Sequence, residues 1–444
     1  MKNMSINRRS FLMNTGVAAI AAGTISAAGQ NSVLKPTTET AVNVLQTWAN
    51  VREQFDKISR DYIHLSSFFL ASHPRAVREA IEKYRQAIDD NPFLFVEQNI
   101  MQMPGRIQSA VAEYTGGKPE EIALTNSTTM GLAFIYQGLP LKAGQEILTT
   151  AHDHFVHHEA IRLAANRSGA SVKKIELFDY SSSVSEEDIV SRIKKAMTPK
   201  TRAVGITWVH SGTGLKLPIR RIADTINEVN KGRAEADRIL LVVDGVHGFG
   251  VEDESVAEMG ADFFIAGTHK WIFGPRGTGI VWAKTDNWKI LQMTFPAFAM
   301  ETVSAWMTGA PLKAPMQASW ISQGGFHAFE YAWALPAAFE FHKQIGRTRI
   351  AERIHSLNDQ MKEGLAKMPN VRLYTPRGSK LSAGLICFEI DGMKSEDVVK
   401  RLLEKRIVAS TAPYKAAYAR LAPSLLNTPQ EIETTLGEIR KLAA

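Results

Sequence analysis

The sequence holds a single cysteine, Cys387. An internal disulfide, a multi-cysteine zinc site and an iron–sulfur cluster are therefore excluded, because each needs more than one thiolate. It has no stretch of eighteen uninterrupted apolar residues, so no segment reads as a stable membrane anchor. Lysine and arginine outnumber acidic residues 52 to 45. They gather into no stripe or run, which argues against a nucleic-acid partner. Repeats of fixed period are missing too. What is present is an ordinary globular composition, 45% hydrophobic and 22% charged over 444 residues. A chain of that length can bury a large core without cross-links.

The first thirty residues stand apart. They carry Lys2, Arg8 and Arg9 and no acid. Asn-Arg-Arg-Ser-Phe-Leu-Met at 7–13 precedes a modest Ala- and Gly-rich apolar stretch from Gly16 to Ala28, with small residues at Ser26-Ala27-Ala28. This three-part layout resembles a twin-arginine export signal with a cleavage site. It implies the Tat export machinery as a partner, delivery of a folded protein, and a periplasmic location.

Residues 31–60 read as a linker followed by a helical segment. Short apolar runs and amphipathic stretches then alternate. The runs are 122–125, 146–150, 172–176, 203–208, 239–243, 263–266 and 279–283, and helical patterns such as 187–196 and 219–230 lie between them. Strands alternating with helices predict a mainly parallel sheet covered on both faces. Beyond residue 325 the pattern changes. Long helices are expected over 329–344 and 348–367, then a compact βαβ-like unit over 384–390, 395–405 and 407–409. The last helix has a plain start, with Thr428 as N-cap, Pro429 in the first helical position and Glu431 completing a capping box. The expected class is α/β, with a large domain at 61–325 and a smaller α+β domain at 326–444.

The richest stretch runs from 238 to 282. Ile-Leu-Leu-Val-Val-Asp at 239–244 reads as a buried strand with Asp244 at its carboxyl end. Phe-Phe-Ile-Ala-Gly-Thr-His-Lys at 263–270 is a second apolar strand leading to Lys270. Ligands of open α/β sheets bind at that edge. A buried carboxylate there calls for a cation. Pyridoxal phosphate (PLP) accounts for both residues: its pyridine nitrogen must stay protonated, and its aldehyde needs a lysine for a Schiff base. The plainer alternative is an Asp–Lys ion pair. His247 is placed to reach the ring hydroxyl, and Thr268 and His269 to donate to the phosphate. Ser127, Thr128 and Thr129 open a helix after a strand, where free N–H groups and hydroxyls suit a phosphate; an ordinary cap is the alternative. The Gly-rich run at 274–279 precedes a strand rather than opening a helix, which excludes a dinucleotide site. Four histidines, His152, His154, His157 and His158, invite a metal, but no fixed carboxylate or thiolate accompanies them, and no metal is expected.

Asp-Gly-Val-His-Gly at 244–248 followed by Gly-Thr-His-Lys-Trp at 267–271 resembles the class V aminotransferases, PLP-dependent enzymes of fold type I. The likeness is strongest to the isopenicillin-N-epimerase-like branch and covers nearly all of 60–442. It implies that Ser127, Thr128 and Thr129 bind phosphate, that His154 stacks over the pyridine and shares in catalysis, and that Ser211 lies near the ring oxygen. Arg420, ahead of Asn427-Thr428, resembles the family arginine that clamps the substrate carboxylate. The resemblance also implies a homodimer in which the partner subunit contributes to the phosphate site. The corresponding stretch here has Gly325-Phe326 where relatives place Gly-Thr.

Cysteine desulfurases share this fold but need a thiol on a loop that corresponds here to 408–416, and this loop has none. Cys387 lies in an apolar strand, where an inert buried thiol is expected. The resulting expectation is an exported PLP enzyme acting at the α-carbon of an amino acid or an amino-acid-bearing metabolite, by transamination, epimerisation, decarboxylation or deamination. A narrower version is modification of the glutamyl side chain of a pyoverdine-like siderophore. A non-catalytic binding protein on the same scaffold is the alternative of another class.

Overall fold

The computed structural model describes residues 45–322 and 325–444. The export signal, most of the linker expected over 31–60, and Gln323-Gly324 lie outside the described residues. Leu45–Ala297 and Pro315–Ala444 form one compact unit. Phe298–Ala314, which holds the helix Met300–Thr308, is assigned to a separate unit.

Among the described residues, thirteen strands follow in chain order: β1 (Ile63–His64), β2 (Ile122–Thr125), β3 (Glu146–Thr150), β4 (Ser171–Ile175), β5 (Thr201–Thr207), β6 (Leu240–Asp244), β7 (Phe263–Gly267), β8 (Gly279–Trp282), β9 (Val371–Leu373), β10 (Ile386–Ile390), β11 (Ile407–Val408), β12 (Ser410–Thr411) and β13 (Ala419–Leu421). The main sheet has seven strands in the order β2-β8-β7-β6-β5-β3-β4. β8 runs antiparallel to both neighbours, and the other pairings are parallel. β5, β6 and β7 are buried along their whole length. Uninterrupted burial explains why their sequences are continuous apolar runs rather than alternating patterns.

The covering helices follow from their spacing. In Ile219–Asn230, Ile219, Ile222, Ala223 and Ile226 fall on one buried stripe. Glu186–Ala196 is capped by the Ser185 side chain, with three acids in its first turn and two lysines in its last, matching the helix dipole. Val204, Val243 and Phe264 from the sheet pack in one core with Ile222, Trp333 and Phe339 from the helices.

The C-terminal half has its own core, including Leu65, Phe388, Val398, Leu421 and Leu436. The two long helices are Phe329–Ile345 and Arg347–Ala366. The expected βαβ-like unit is not formed. β10 pairs antiparallel with β9 and β13 in a four-stranded sheet, whereas β11 pairs in parallel with β1 from far upstream. The helix Ser395–Glu404 therefore links two sheets instead of crossing over one. The terminal capping box forms as its sequence predicts: Thr428 Oγ1 accepts from the Glu431 N–H at 3.2 Å, and a Glu431 carboxylate oxygen accepts from the Thr428 N–H at 3.1 Å.

Candidate active site

β2, β3, β5, β6 and β7 point the same way, so their carboxyl ends form one edge. Along it lie Ser127–Thr129 after β2, His154 after β3, Ser211 after β5, Asp244 at the end of β6 and Lys270 after β7. Asp244 and Lys270 thus come from adjacent strands. The turn after Asp244 depends on Gly245, since a Cβ there would stand 2.0 Å from the Phe264 ring. This close approach lets β6 and β7 stay in register up to their ends.

Asp244 is buried and accepts a hydrogen bond from the Val246 N–H at 3.1 Å. Burial raises its pKa to about 6 against the opposing pull of the Val246 N–H and Lys270. Lys270 Nζ lies 3.2 Å from His247 Nε2. Burial lowers the Lys270 amine to about 8, partly offset by Asp244. His247 is held neutral, first by burial and then by the Lys270 charge, and its Nδ1 is buried with no partner. The cluster holds an acid short of a cation, an amine brought towards neutrality and an imidazole with an orphaned nitrogen.

At the other end of the edge, Ser127 caps the helix Thr128–Gly138, its Oγ accepting from the Met130 N–H at 3.2 Å. Thr128 and Thr129 occupy the first turn, where N–H groups have no acceptor within the helix. Thr128 Oγ1 accepts from the Gly267 N–H at 2.8 Å, which pins this helix start to β7 and leaves the hydroxyl proton free. His269 is half-buried, and burial lowers its pKa to about 4. Thr268, expected as a phosphate donor, follows β7 at the same edge. Its hydroxyl donates to the Thr278 carbonyl at 3.1 Å and lies 2.5 Å from Thr278 Oγ1. With its one proton turned into the 275–278 turn, Thr268 fastens the loop that bears Lys270.

Arg420 is buried beneath the same region. Its Nη1 donates to the Ser211 carbonyl at 3.0 Å and its Nε to Ser410 Oγ at 3.3 Å, and its guanidinium lies 4.7 Å from the Phe68 ring centroid. His154 caps the helix Phe155–Ser168, accepting from the Val156 N–H at 3.4 Å. Burial, Lys270 and Arg420 together lower its pKa to about 4. The other three histidines diverge. His152 stacks on Phe178 at 3.9 Å, His157 Nε2 lies 2.7 Å from Tyr136 Oη, and His158 Nε2 lies 2.7 Å from the Thr150 carbonyl oxygen. Among the described residues no group of three or more side chains is arranged to hold a metal ion.

Three residues join the site that sequence reasoning passes over. Phe68, buried, faces both His247, at 5.9 Å between ring centroids, and Arg420. Tyr414 Oη lies 2.6 Å from Ser211 Oγ. Asp153 accepts from Thr149 Oγ1, from the N–H and hydroxyl of Thr150, and from the Thr207 N–H, joining the ends of β3 and β5. Burial by itself would raise its pKa; His157, His210 and these donors hold it at about 2. The only available signal for Asp153 was its place between a strand end and His154. Nothing local marks Phe68 or Tyr414.

The model of the aminotransferase class-V family matches residues 71–420. The chain belongs to that family. Isopenicillin N epimerase of Streptomyces clavuligerus is 25% identical over 371 residues, covering 81% of this chain and 89% of that protein. A probable cysteine desulfurase of Vibrio cholerae serotype O1 is 23% identical over 420 residues, covering 88% and 97%. Among solved structures, a mutant of C-DES with glycine covalently linked to its PLP cofactor matches with a TM-score of 0.77 and 21% identity, covering 88% of this chain and 98% of that one. The fold is type I and the family's cofactor is PLP. The observed residues fit that group: a buried carboxylate awaiting a cation, an amine near neutrality, an orphaned imidazole nitrogen and an open helix N-terminus.

Proposed function

We propose that this enzyme uses PLP to act at the α-carbon of an amino acid or an amino-acid-bearing metabolite. The observation that carries this reading is the delivery of Asp244 and Lys270 to one edge by adjacent strands, with Lys270 3.2 Å from His247. Bound PLP supplies an electron sink for the pair released when a bond to the α-carbon breaks. Asp244 would keep the ring nitrogen protonated. Lys270 would hold the cofactor through its amine and would carry the α-proton. Arg420 orients the substrate carboxylate and so selects the bond that breaks. Ser127, Thr128, Thr129 and His269 would hold the phosphate, His247 and Ser211 would serve the ring oxygen, and His154 would pack on the ring.

Persulfide chemistry is disfavoured. Cys387 is buried within β10 and burial raises its thiol to about 12. Incubation of the holoenzyme with an amino-acid panel in deuterated water, read by mass spectrometry, tests the proposal. Deuterium at the α-carbon, carbon dioxide or a keto acid is expected from at least one substrate. A holoenzyme yielding none of these contradicts it.

The reading extends to location and assembly. Export by the twin-arginine route rests on Arg8 and Arg9, and their joint replacement by lysine is expected to keep the protein in the cytoplasm; unchanged periplasmic accumulation contradicts export. A homodimer is supported by the side chain of Phe326, 87% exposed on the stretch where relatives receive the partner. A single-chain mass in solution would contradict it. A glutamyl side chain on a pyoverdine-like siderophore is the narrower substrate reading, motivated by the signal together with Gly325-Phe326.

A further inference from the structure

The loop between β12 and β13 carries Tyr414 into the site. The loop is closed at its base by the Ala412 N–H donating to the Tyr418 carbonyl at 2.8 Å and by the stack of Tyr418 on Tyr374 at 3.8 Å. Tyr414 Oη meets Ser211 Oγ at 2.6 Å, and the phenol ring meets His154 edge-on, at 6.2 Å and 84°. The ring also packs on Gly212, where an added Cβ would stand 3.1 Å from two ring carbons. The Ser211 carbonyl receives Arg420. The turn bearing Ser211 follows β5, the loop bearing Lys270 follows β7, and Asp244 ends β6 between them. Lys270 thus enters from the β7 side of Asp244, and Tyr414 meets the segment that leaves β5 on its other side.

We propose that Tyr414 is a second proton-transfer residue, serving the face of the α-carbon turned away from Lys270. This rests on the reading of the site as a PLP-dependent amino-acid site. The neutral Lys270 amine takes the α-proton: the C–H bond breaks, an N–H bond forms and the electron pair stays in the conjugated system. The Tyr414 O–H bond then breaks and a C–H bond forms on the opposite face. Arg420 and the Ser211 hydroxyl meet the phenolate charge. Lys270 returns its proton to water and the phenolate regains one, so no hydrogen is consumed and the configuration inverts. Burial raises the phenol to about 12, against the pull of Ser211 and Arg420, so the resting group carries its proton.

Glycine is the probe, because its two α-hydrogens report the two faces separately. In deuterated water the holoenzyme is expected to exchange both. Tyr414→Phe, loaded with the same cofactor absorbance, is expected to exchange one at the wild-type rate and the other about 100-fold or more slowly. Equal exchange of both by the variant, or exchange of only one by the wild type, overturns the role of Tyr414 and leaves the functional reading standing. A PLP-loaded wild type that exchanges neither overturns the role of Tyr414, and the functional reading falls with it only if the amino-acid panel also yields no exchange, carbon dioxide or keto acid. A second readout uses the cofactor-free proteins: the wild-type minus Tyr414→Phe phenolate absorbance is expected to stay flat through the ordinary tyrosine value of 10.0. An ionisation at that value would place the phenol in open solvent rather than against Ser211 and His154, and so overturns the placement on which the assignment rests.

Discussion

Lys270→Ala is expected to abolish α-hydrogen exchange, by at least about 10³-fold, while leaving the fold intact. The magnitude follows from losing a positioned base, worth roughly 10²–10⁴, together with covalent attachment of the cofactor. Retention of the fold follows from the role of the side chain. Lys270 makes one polar contact, with His247, and the loop bearing it is held by Thr268, Thr278 and the Pro275 carbonyl rather than by the amine. Added methylamine is expected to restore part of the exchange, because it supplies the missing base without the missing tether. Wild-type exchange rates in the variant would remove Lys270 from the chemistry.

Asp244→Asn is expected to separate stability from function. The cofactor-free folded chain binds the Asp244 proton more tightly than the unfolded chain does, since burial raises the pKa from 3.8 to about 6. Stability therefore falls as pH rises from about 4 to about 6, and the deficit persists above that window. Two units correspond to about 3 kcal/mol. Asparagine still accepts from the Val246 N–H but carries no charge. The cofactor-free variant should come near the wild type at pH 4 and exceed it by up to about 3 kcal/mol at pH 7.5, read by urea unfolding. Activity should move the other way. Losing the partner of a protonated ring nitrogen costs about 3–5 kcal/mol, or roughly 10²–10⁴ in rate. A cofactor-free variant no more stable at pH 7.5 than the wild type would contradict the assignment of Asp244 as a carboxylate held in waiting for a cation.

The main sheet and its reactive edge were legible because burial on both faces writes itself as apolar runs, and because Asp244 and Lys270 interrupt those runs at strand ends. The C-terminal half was less legible. β1 and β11 have two residues each, too few to show a period, and their pairing joins positions 63 and 407. The βαβ-like expectation failed there because the partners of β10 are chosen by long-range packing, not by the helix that follows it. Thr268 illustrates a different limit. Its position before Lys270 says nothing about which way its hydroxyl turns, and Thr278 decides that. Tyr414 was hidden because a loop lacking a thiol reads as lacking chemistry, whereas folding brings its phenol against Ser211 and His154.

The central claim is that Asp244 and Lys270 grip one cofactor between adjacent strand ends. Reduction of the yellow holoenzyme with borohydride, followed by proteolysis and peptide mass mapping, addresses it directly. The account predicts a single pyridoxyl adduct on Lys270, and in Asp244→Asn an adduct at the same residue with weakened retention of the unreduced cofactor. An adduct on another lysine, or a fully loaded protein with Lys270 unmodified, would contradict it.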